Sequence, residues 1–289
     1  MIARIIDNNT IEVYDLMQFD VDAIMHSGQV FRYFKKDYGY QIVVGHNYAE
    51  LQKDDNKVVI KSNDANFFYN YFDLQTDYNE IKKELYRFEA IRSAVEAGGG
   101  IRIIRSECIE TIISFIISAN NNIKRFTKTL NLISERYGDK LQSGLFAFPT
   151  LKQLSIIEKS DFDLLGCGYR SLYLFETIKM LEYMDITKLS KLRSEEIGVI
   201  RKKLMTLPGV GQKVADCVML MSDLLPNEKR FLVCPKDVHI NRALGKLGKE
   251  KADELLHHNY SGVIQQYIFY YVQHLEKELI YDEELSIKK

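Results

Sequence analysis

The sequence predicts an α+β protein: an N-terminal antiparallel β-sheet domain followed by an all-α body of two lobes. Three observations lead there. Short apolar runs broken by Gly, Asn and Asp fill the first sixty residues, and helical periodicity takes over near Tyr78. All four prolines, Pro149, Pro208, Pro226 and Pro235, fall between helical segments, where proline is tolerated.

Gln41 to Val44, Tyr48 to Gln52 and Lys57 to Lys61 read as strands separated by Gly45-His46-Asn47 and Asp54-Asp55-Asn56, with Met1 to Ile6 and Thr10 to Tyr14 as further strands. From Tyr78 the apolar residues Ile81, Leu85, Phe88, Ile91 and Val95 share one helical face, and Gly98-Gly99-Gly100 breaks that helix. The division is therefore 1–98, a β domain with its closing helix, and 99–289, the helical body. In the body the helical segments run about 107–119, 122–137, 150–167, 170–183, 194–206, 212–224, 237–248 and 259–280.

Composition narrows the function. At 289 residues, 46% hydrophobic, the chain can bury a large core. The first twenty residues carry Asp7, Glu12, Asp15 and Asp20, which argues against a secretory signal, and Ile112 to Ala119 is too short to span a bilayer. Cysteines at 108, 167, 217 and 234 lack the close spacing of a zinc site, a disulfide framework or an iron–sulfur cluster, so intracellular thiols are expected. Net charge is −1, unevenly distributed. Residues 1–98 hold 16 acidic and 11 basic side chains, whereas the remainder holds 24 acidic and 28 basic. An asymmetry of that size is weak support for nucleic acid and equally consistent with surface scatter.

The strongest local signal is Leu207-Pro208-Gly209-Val210-Gly211-Gln212-Lys213, a tight hairpin between helices. Pro208 closes the first helix, while Gly209 and Gly211 permit positive φ and close approach of another backbone. The free N–H groups at the start of the second helix favour a phosphate. The spacing excludes a P-loop, which needs four residues between glycines and a Ser/Thr for magnesium. Lys213 stands in the first turn of that helix. The positive end of a helix disfavours an ammonium and partial burial would do the same, and a neutral amine can attack an anomeric carbon to form a Schiff base. A solvated helix lysine fits the spacing about as well. Asp237 follows 24 residues later in Cys234-Pro235-Lys236-Asp237-Val238-His239.

Lys213 with Asp237 resembles the helix-hairpin-helix DNA glycosylase superfamily. Leu207 to Leu220 with Asp237-Val238-His239 is similar, more narrowly, to the 8-oxoguanine DNA glycosylases of the eukaryotic type. His26 to Tyr33 (HSGQVFRY), Phe115 to Ile123 (FIISANNNI), Gly166 to Arg170 (GCGYR) and Tyr260 to Gln265 (YSGVIQ) fit the same family in order along nearly the whole chain. The resemblance implies a glycosylase body with the hairpin at about 206–213, no iron–sulfur cluster, and room for a monovalent cation at the hairpin. It also implies a double-stranded DNA partner carrying 8-oxoguanine, a monomeric enzyme inside the cell, and bifunctional base excision with β-elimination at the resulting abasic site.

By that resemblance Lys213 is the nucleophile and Asp237 stabilises charge on the sugar; Gly209, Gly211 and His239 contact phosphates. Gly28 offers the carbonyl that accepts the N7 hydrogen peculiar to 8-oxoguanine, since guanine presents a bare acceptor there. Cys217, one turn after Lys213, packs on one face of the expelled base, with its thiolate influencing the amine; by its residue type alone it reads as a small buried hydrophobe. Phe269 stacks on the other face, and Gln265 reads the Watson–Crick edge with a donor and an acceptor. Asn120 fills the vacated stack, Arg125 and Arg170 hold the estranged cytosine, and Tyr169 wedges beside them; as plain residues Asn120 belongs to a loop leading to an N-cap at Asn122, and Tyr169 and Arg170 to a surface turn.

The family pattern is not complete. Tyr33 and Asn241 replace tryptophans common there, the chain has no tryptophan, and Lys236 beside the aspartate is a rival amine. Two other functions stay open from the residues: a glycosylase for another damaged base, and a non-catalytic helix-hairpin-helix DNA-binding module.

Overall fold

The computed structural model describes residues 2–183 and 192–274. Six antiparallel strands form one sheet in the order β1-β2-β6-β5-β4-β3: β1 Ala3–Asp7, β2 Thr10–Val13, β3 Tyr33–Lys36, β4 Gly39–Val44, β5 Asn47–Lys53 and β6 Val58–Ser62. The expected strands are all present. β3 is an addition, and it pairs Tyr33 with Ile42 and Lys36 with Gly39. One face is buried through Ile11, Val13, Ile42, Val44, Ala49, Leu51, Val58 and Ile60, the alternation that a half-covered sheet requires.

Among the described residues four helices lie outside the expected segments, the shortest being Asn227–Arg230. Val21–His26 and Ala65–Tyr71 each begin at an aspartate whose side chain accepts a backbone N–H, Asp20 from Ala23 and Asp64 from Phe67. Another, Lys249–Leu256, starts after Gly248 at φ +81°. Two expected helices are broken. The stretch from Tyr78 becomes Tyr78–Leu85, a 3-10 turn Glu89–Ile91 and Arg92–Ala97, yet Ile81, Leu85, Ile91 and Val95 are all buried as the periodicity implied. The 150–167 segment is Leu151–Leu154 and Lys159–Leu164, the second opened by a reciprocal cap between Glu158 and Asp161. Other ends shorten: 194–206 to Ile197–Leu204 after a 3-10 turn, 212–224 to Gln212–Met221, and 237–248 to Val238–Lys246. The last helix is Ser261–His274; positions 275–280 of the expected 259–280 lie outside the described residues.

A buried polar network joins the N-terminal region to the helical body across the Gly98-Gly99-Gly100 break. Arg230 and Asp73 pair at 3.0 Å with neither side chain exposed. Asp73, at φ +52°, also accepts from Thr76, Tyr78 and the Asn227 amide. Arg102, equally buried, donates to the carbonyls of Gln18, Phe72, Asp73 and Thr76 and stacks on Tyr78 at 4.2 Å. A buried charge is tolerated only with its partners in place. Asp73→Ala leaves Arg230 buried and unpaired, so unfolding free energy should fall by about 3–5 kcal/mol. A denaturant titration reads this directly as a lower midpoint.

Candidate active site

The hairpin forms as the Pro and Gly positions demand. The helix Ile197–Leu204 ends with the Met205 amide bonded to the Arg201 carbonyl, and Val210 N–H closes the turn on the Leu207 carbonyl at 3.0 Å. Thr177 donates to the Pro208 carbonyl at 2.7 Å, and Leu207 and Val210 anchor the loop in the core. Gly209 has φ +79°, and a Cβ there would sit 2.9 Å from Tyr173 and 3.2 Å from Ile116. Gly211 differs from the expectation of positive φ. It is the N-cap of Gln212–Met221 at φ −83°, and a Cβ there would meet open space.

Lys213 projects from the first turn of that helix. Its Nζ lies 5.0 Å from the centre of the Phe115 ring. Beneath it, Cys217 is 2% exposed and its thiol hydrogen-bonds the amine. Burial pushes that thiol up to about 11, so a neutral thiol, not the expected thiolate, faces the lysine at physiological pH. Below the hairpin, Arg201 and Asp216 pair at 2.6 Å and fix the two helices against each other.

A cavity of about 850 Å³ opens beside the lysine. Lys213, Asp237, Gly28, Phe269, Phe31 and Phe115 all line it. Asp237 caps Val238–Lys246, its carboxylate accepting from Ile240 N–H at 2.8 Å. Gly28 has φ +78°, and a Cβ there would touch the Phe269 ring at 3.0 Å. Gln265, one turn before Phe269, is buried with its Oε1 lacking a hydrogen-bond partner among the described residues. An unsatisfied buried acceptor costs free energy unless a ligand or water completes it. Phe31 and Phe115 belong to segments the sequence reading singled out, but it gave their rings no role; here they meet edge to face at 5.3 Å.

The remaining predicted residues are not among those lining the cavity, and Asn120, Arg125, Tyr169 and Arg170 instead neighbour one another. Asn120 is exposed at φ +48°, an uncommon conformation for a residue other than glycine. Arg170, 4% exposed, donates to the carbonyls of Ala119, Asn120 and Cys167 and stacks on Tyr169 at 4.4 Å. Arg125 donates to the Gly166 carbonyl at 3.1 Å. Tyr169 is 57% exposed, and His239 is exposed beside Asp237. The two arginines thus tie together the Asn120 loop and the Gly166-Cys167-Gly168 turn. Lys236 is exposed, and it is not among the residues lining the cavity. Among the described residues no group of three or more His, Cys, Asp or Glu is arranged to hold a metal ion, and no helix is long and apolar enough to cross a membrane.

The β-sheet, the helical body after it and the hairpin that carries Lys213 toward the cavity it shares with Asp237 define a helix-hairpin-helix DNA glycosylase architecture, and the 3-methyladenine DNA glycosylase of Archaeoglobus fulgidus shares the fold at 17% identity (TM-score 0.68; 91% of this chain, 99% of that chain). Residues 13–112 match the family described as 8-oxoguanine DNA glycosylase, N-terminal domain. The structure of the Clostridium acetobutylicum 8-oxoguanine glycosylase/lyase, in complex with duplex DNA containing cytosine opposite 8-oxoG, is 32% identical and superposes with TM-score 0.86 over 96% of this chain and 100% of that one. The N-glycosylase/DNA lyase of Saccharomyces cerevisiae is 36% identical over 157 residues, 50% of this chain. The Arabidopsis thaliana N-glycosylase/DNA lyase OGG1 is 36% identical over 129 residues, 43% of this chain. The matched stretches span 40% and 35% of those two curated relatives. The chain belongs to the 8-oxoguanine DNA glycosylase family.

A contrast between the two hairpin glycines follows from their surroundings. Gly209→Ala should lower thermal stability, because the new methyl meets Tyr173 at a φ that L residues rarely adopt. Gly211→Ala should fold normally and instead weaken binding to duplex DNA, if the open side of the turn faces a phosphate. Thermal melts and DNA titrations of both variants separate the two effects.

Proposed function

We propose that the protein is a base-excision repair enzyme that flips 8-oxoguanine out of duplex DNA, preferably opposite cytosine, and excises it with accompanying strand scission at the abasic site. The observation that carries this is the convergence of Lys213, Asp237, Gly28 and Phe269 on one cavity. A binding module has no use for an amine and a carboxylate lining one large cavity.

The base enters between Phe269 and the Cys217 side, with Gln265 meeting its Watson–Crick edge through the acceptor that otherwise lacks a partner. Once the amine has given up its proton, Lys213 Nζ attacks C1′ as the C1′–N9 bond breaks, and the base leaves with that electron pair. Asp237 stabilises the positive charge that develops on the sugar. The resulting imine acidifies the 2′ hydrogens, and β-elimination expels the 3′ phosphate. Asn120 and Tyr169 occupy the gap in the stack. Arg125 and Arg170 exchange loop carbonyls for cytosine O2 and N3, acceptors left free when guanine departs.

Gly209, Gly211 and His239 hold the backbone phosphates, and a monovalent cation on the hairpin carbonyls would add to that attraction. The division into 1–98 and 99–289, a monomeric state and a location inside the cell complete the reading. The test is cleavage of duplexes carrying 8-oxoguanine opposite each of the four bases, beside duplexes with an alkylated purine or an oxidised pyrimidine. Rapid cleavage confined to 8-oxoguanine, fastest opposite cytosine, is expected. Preference for another lesion would reassign the substrate, and tight binding without cleavage of any duplex would leave only the binding module.

A further inference from the structure

The resemblance to the 8-oxoguanine DNA glycosylases sets the Gly28 carbonyl against the N7 hydrogen of the lesion, and a glycine peptide rotates readily. Glycine crosses φ/ψ space at little cost. A flip of the peptide after Gly28 would replace its carbonyl by the Gln29 N–H. That donor suits the bare N7 of guanine and repels the protonated N7 of 8-oxoguanine, so discrimination requires the peptide to be held.

The surroundings hold the chain on both sides of that peptide. On the C-terminal helix, the buried Gln266 side chain donates through Nε2 to the Ser27 carbonyl, 239 residues away in sequence. Eight residues on, His274 hydrogen-bonds the His26 backbone. Between them, the Phe269 ring fills the space that a Cβ at Gly28 would take. On the other flank Gln29, 4% exposed, donates to the Arg102 carbonyl and the Ser27 hydroxyl at 3.0 Å each and accepts from Ile104 N–H at 3.0 Å. Ser27 in turn donates to the Ile24 carbonyl at 2.7 Å.

The geometry points to Gln266 as a positioning residue that fixes the Ser27–Gly28 peptide, and with it the base from which the Gly28 carbonyl is aimed, and so sets the preference for 8-oxoguanine over guanine. Adjacent glutamines on one helix then have separate tasks. Gln265 presents an unpartnered acceptor, and Gln266 acts through the main chain without touching the base.

The inference rests on the proposed function, and the two are separable by experiment. Binding to 8-oxoguanine:cytosine and guanine:cytosine duplexes is compared for the protein with its own Gln266 and for Gln266→Met, both in a Lys213→Gln background that keeps the DNA intact. Cleavage of a pre-formed abasic duplex is measured with Lys213 present. The expected result is a loss of about three- to tenfold in the affinity ratio, through weaker lesion binding and stronger guanine binding. Abasic cleavage, which involves no base, should remain near wild type. An unchanged ratio, or equal weakening for both duplexes, overturns the inference. Should Gln266→Met fail to fold, Gln266→Asn, which keeps the amide and withdraws its reach, is read in the same way. Absence of any preference for 8-oxoguanine in the protein with Gln266 would instead remove the functional reading beneath it.

Discussion

Lys213→Gln should lower base release from an 8-oxoguanine:cytosine duplex by about a thousandfold or more, because it removes the nucleophile itself. Glutamine retains much of the side-chain length and can still lie over Phe115, while Cys217 packs beneath. Binding to the lesion duplex should therefore change only a few-fold. The two readouts, single-turnover excision and equilibrium binding, diverge if the amine performs chemistry. They fall together if the lysine only attracts phosphate.

Asp237 performs two tasks that substitution can separate. As an N-cap it accepts from Ile240 N–H, and an asparagine side chain satisfies that donor nearly as well. Asp237→Asn should melt within a degree or two of wild type while losing the negative charge beside the sugar, with excision falling on the order of 10²–10³-fold. Asp237→Ala should lose the same activity and also about 1 kcal/mol of stability with the cap. Wild-type excision by Asp237→Asn would reduce the residue to a helix cap.

Much of this site could be read before any coordinates, because its most important parts are local. Pro208 and Gly209 dictate a hairpin by backbone chemistry alone, and the four-residue step from Lys213 to Cys217 places both on one helical face. Gly28, Asn120 and Arg170 were reachable only through the likeness of whole segments to a family. A loop glycine or arginine carries no signature of what lies opposite.

What escaped was long-range. Gln266 looks no different from Gln265 in sequence, and its role depends on a carbonyl from the first helix. Nothing in the sequence marks Arg102 and Arg230 as buried, whereas the fold surrounds Arg102 with backbone carbonyls, gives Arg230 carbonyls and the Asp73 carboxylate, and buries both completely. β3 was missed because Tyr33-Phe34-Lys35-Lys36 is short and half-exposed, and pairing with β4 defines it more than its own pattern does. The expected Cys217 thiolate failed for an electrostatic reason: the lysine's attraction for a thiolate does not offset the desolvation of a fully buried sulfur.

The central claim is a covalent bond between one nitrogen and one sugar carbon. Borohydride reduction of the enzyme during reaction with an 8-oxoguanine:cytosine duplex, followed by nuclease digestion and peptide mass mapping, locates that bond. The account predicts a deoxyribose-derived adduct on the peptide containing Lys213 and none on the peptide containing Lys236. An adduct on Lys236 or on any other amine would contradict it.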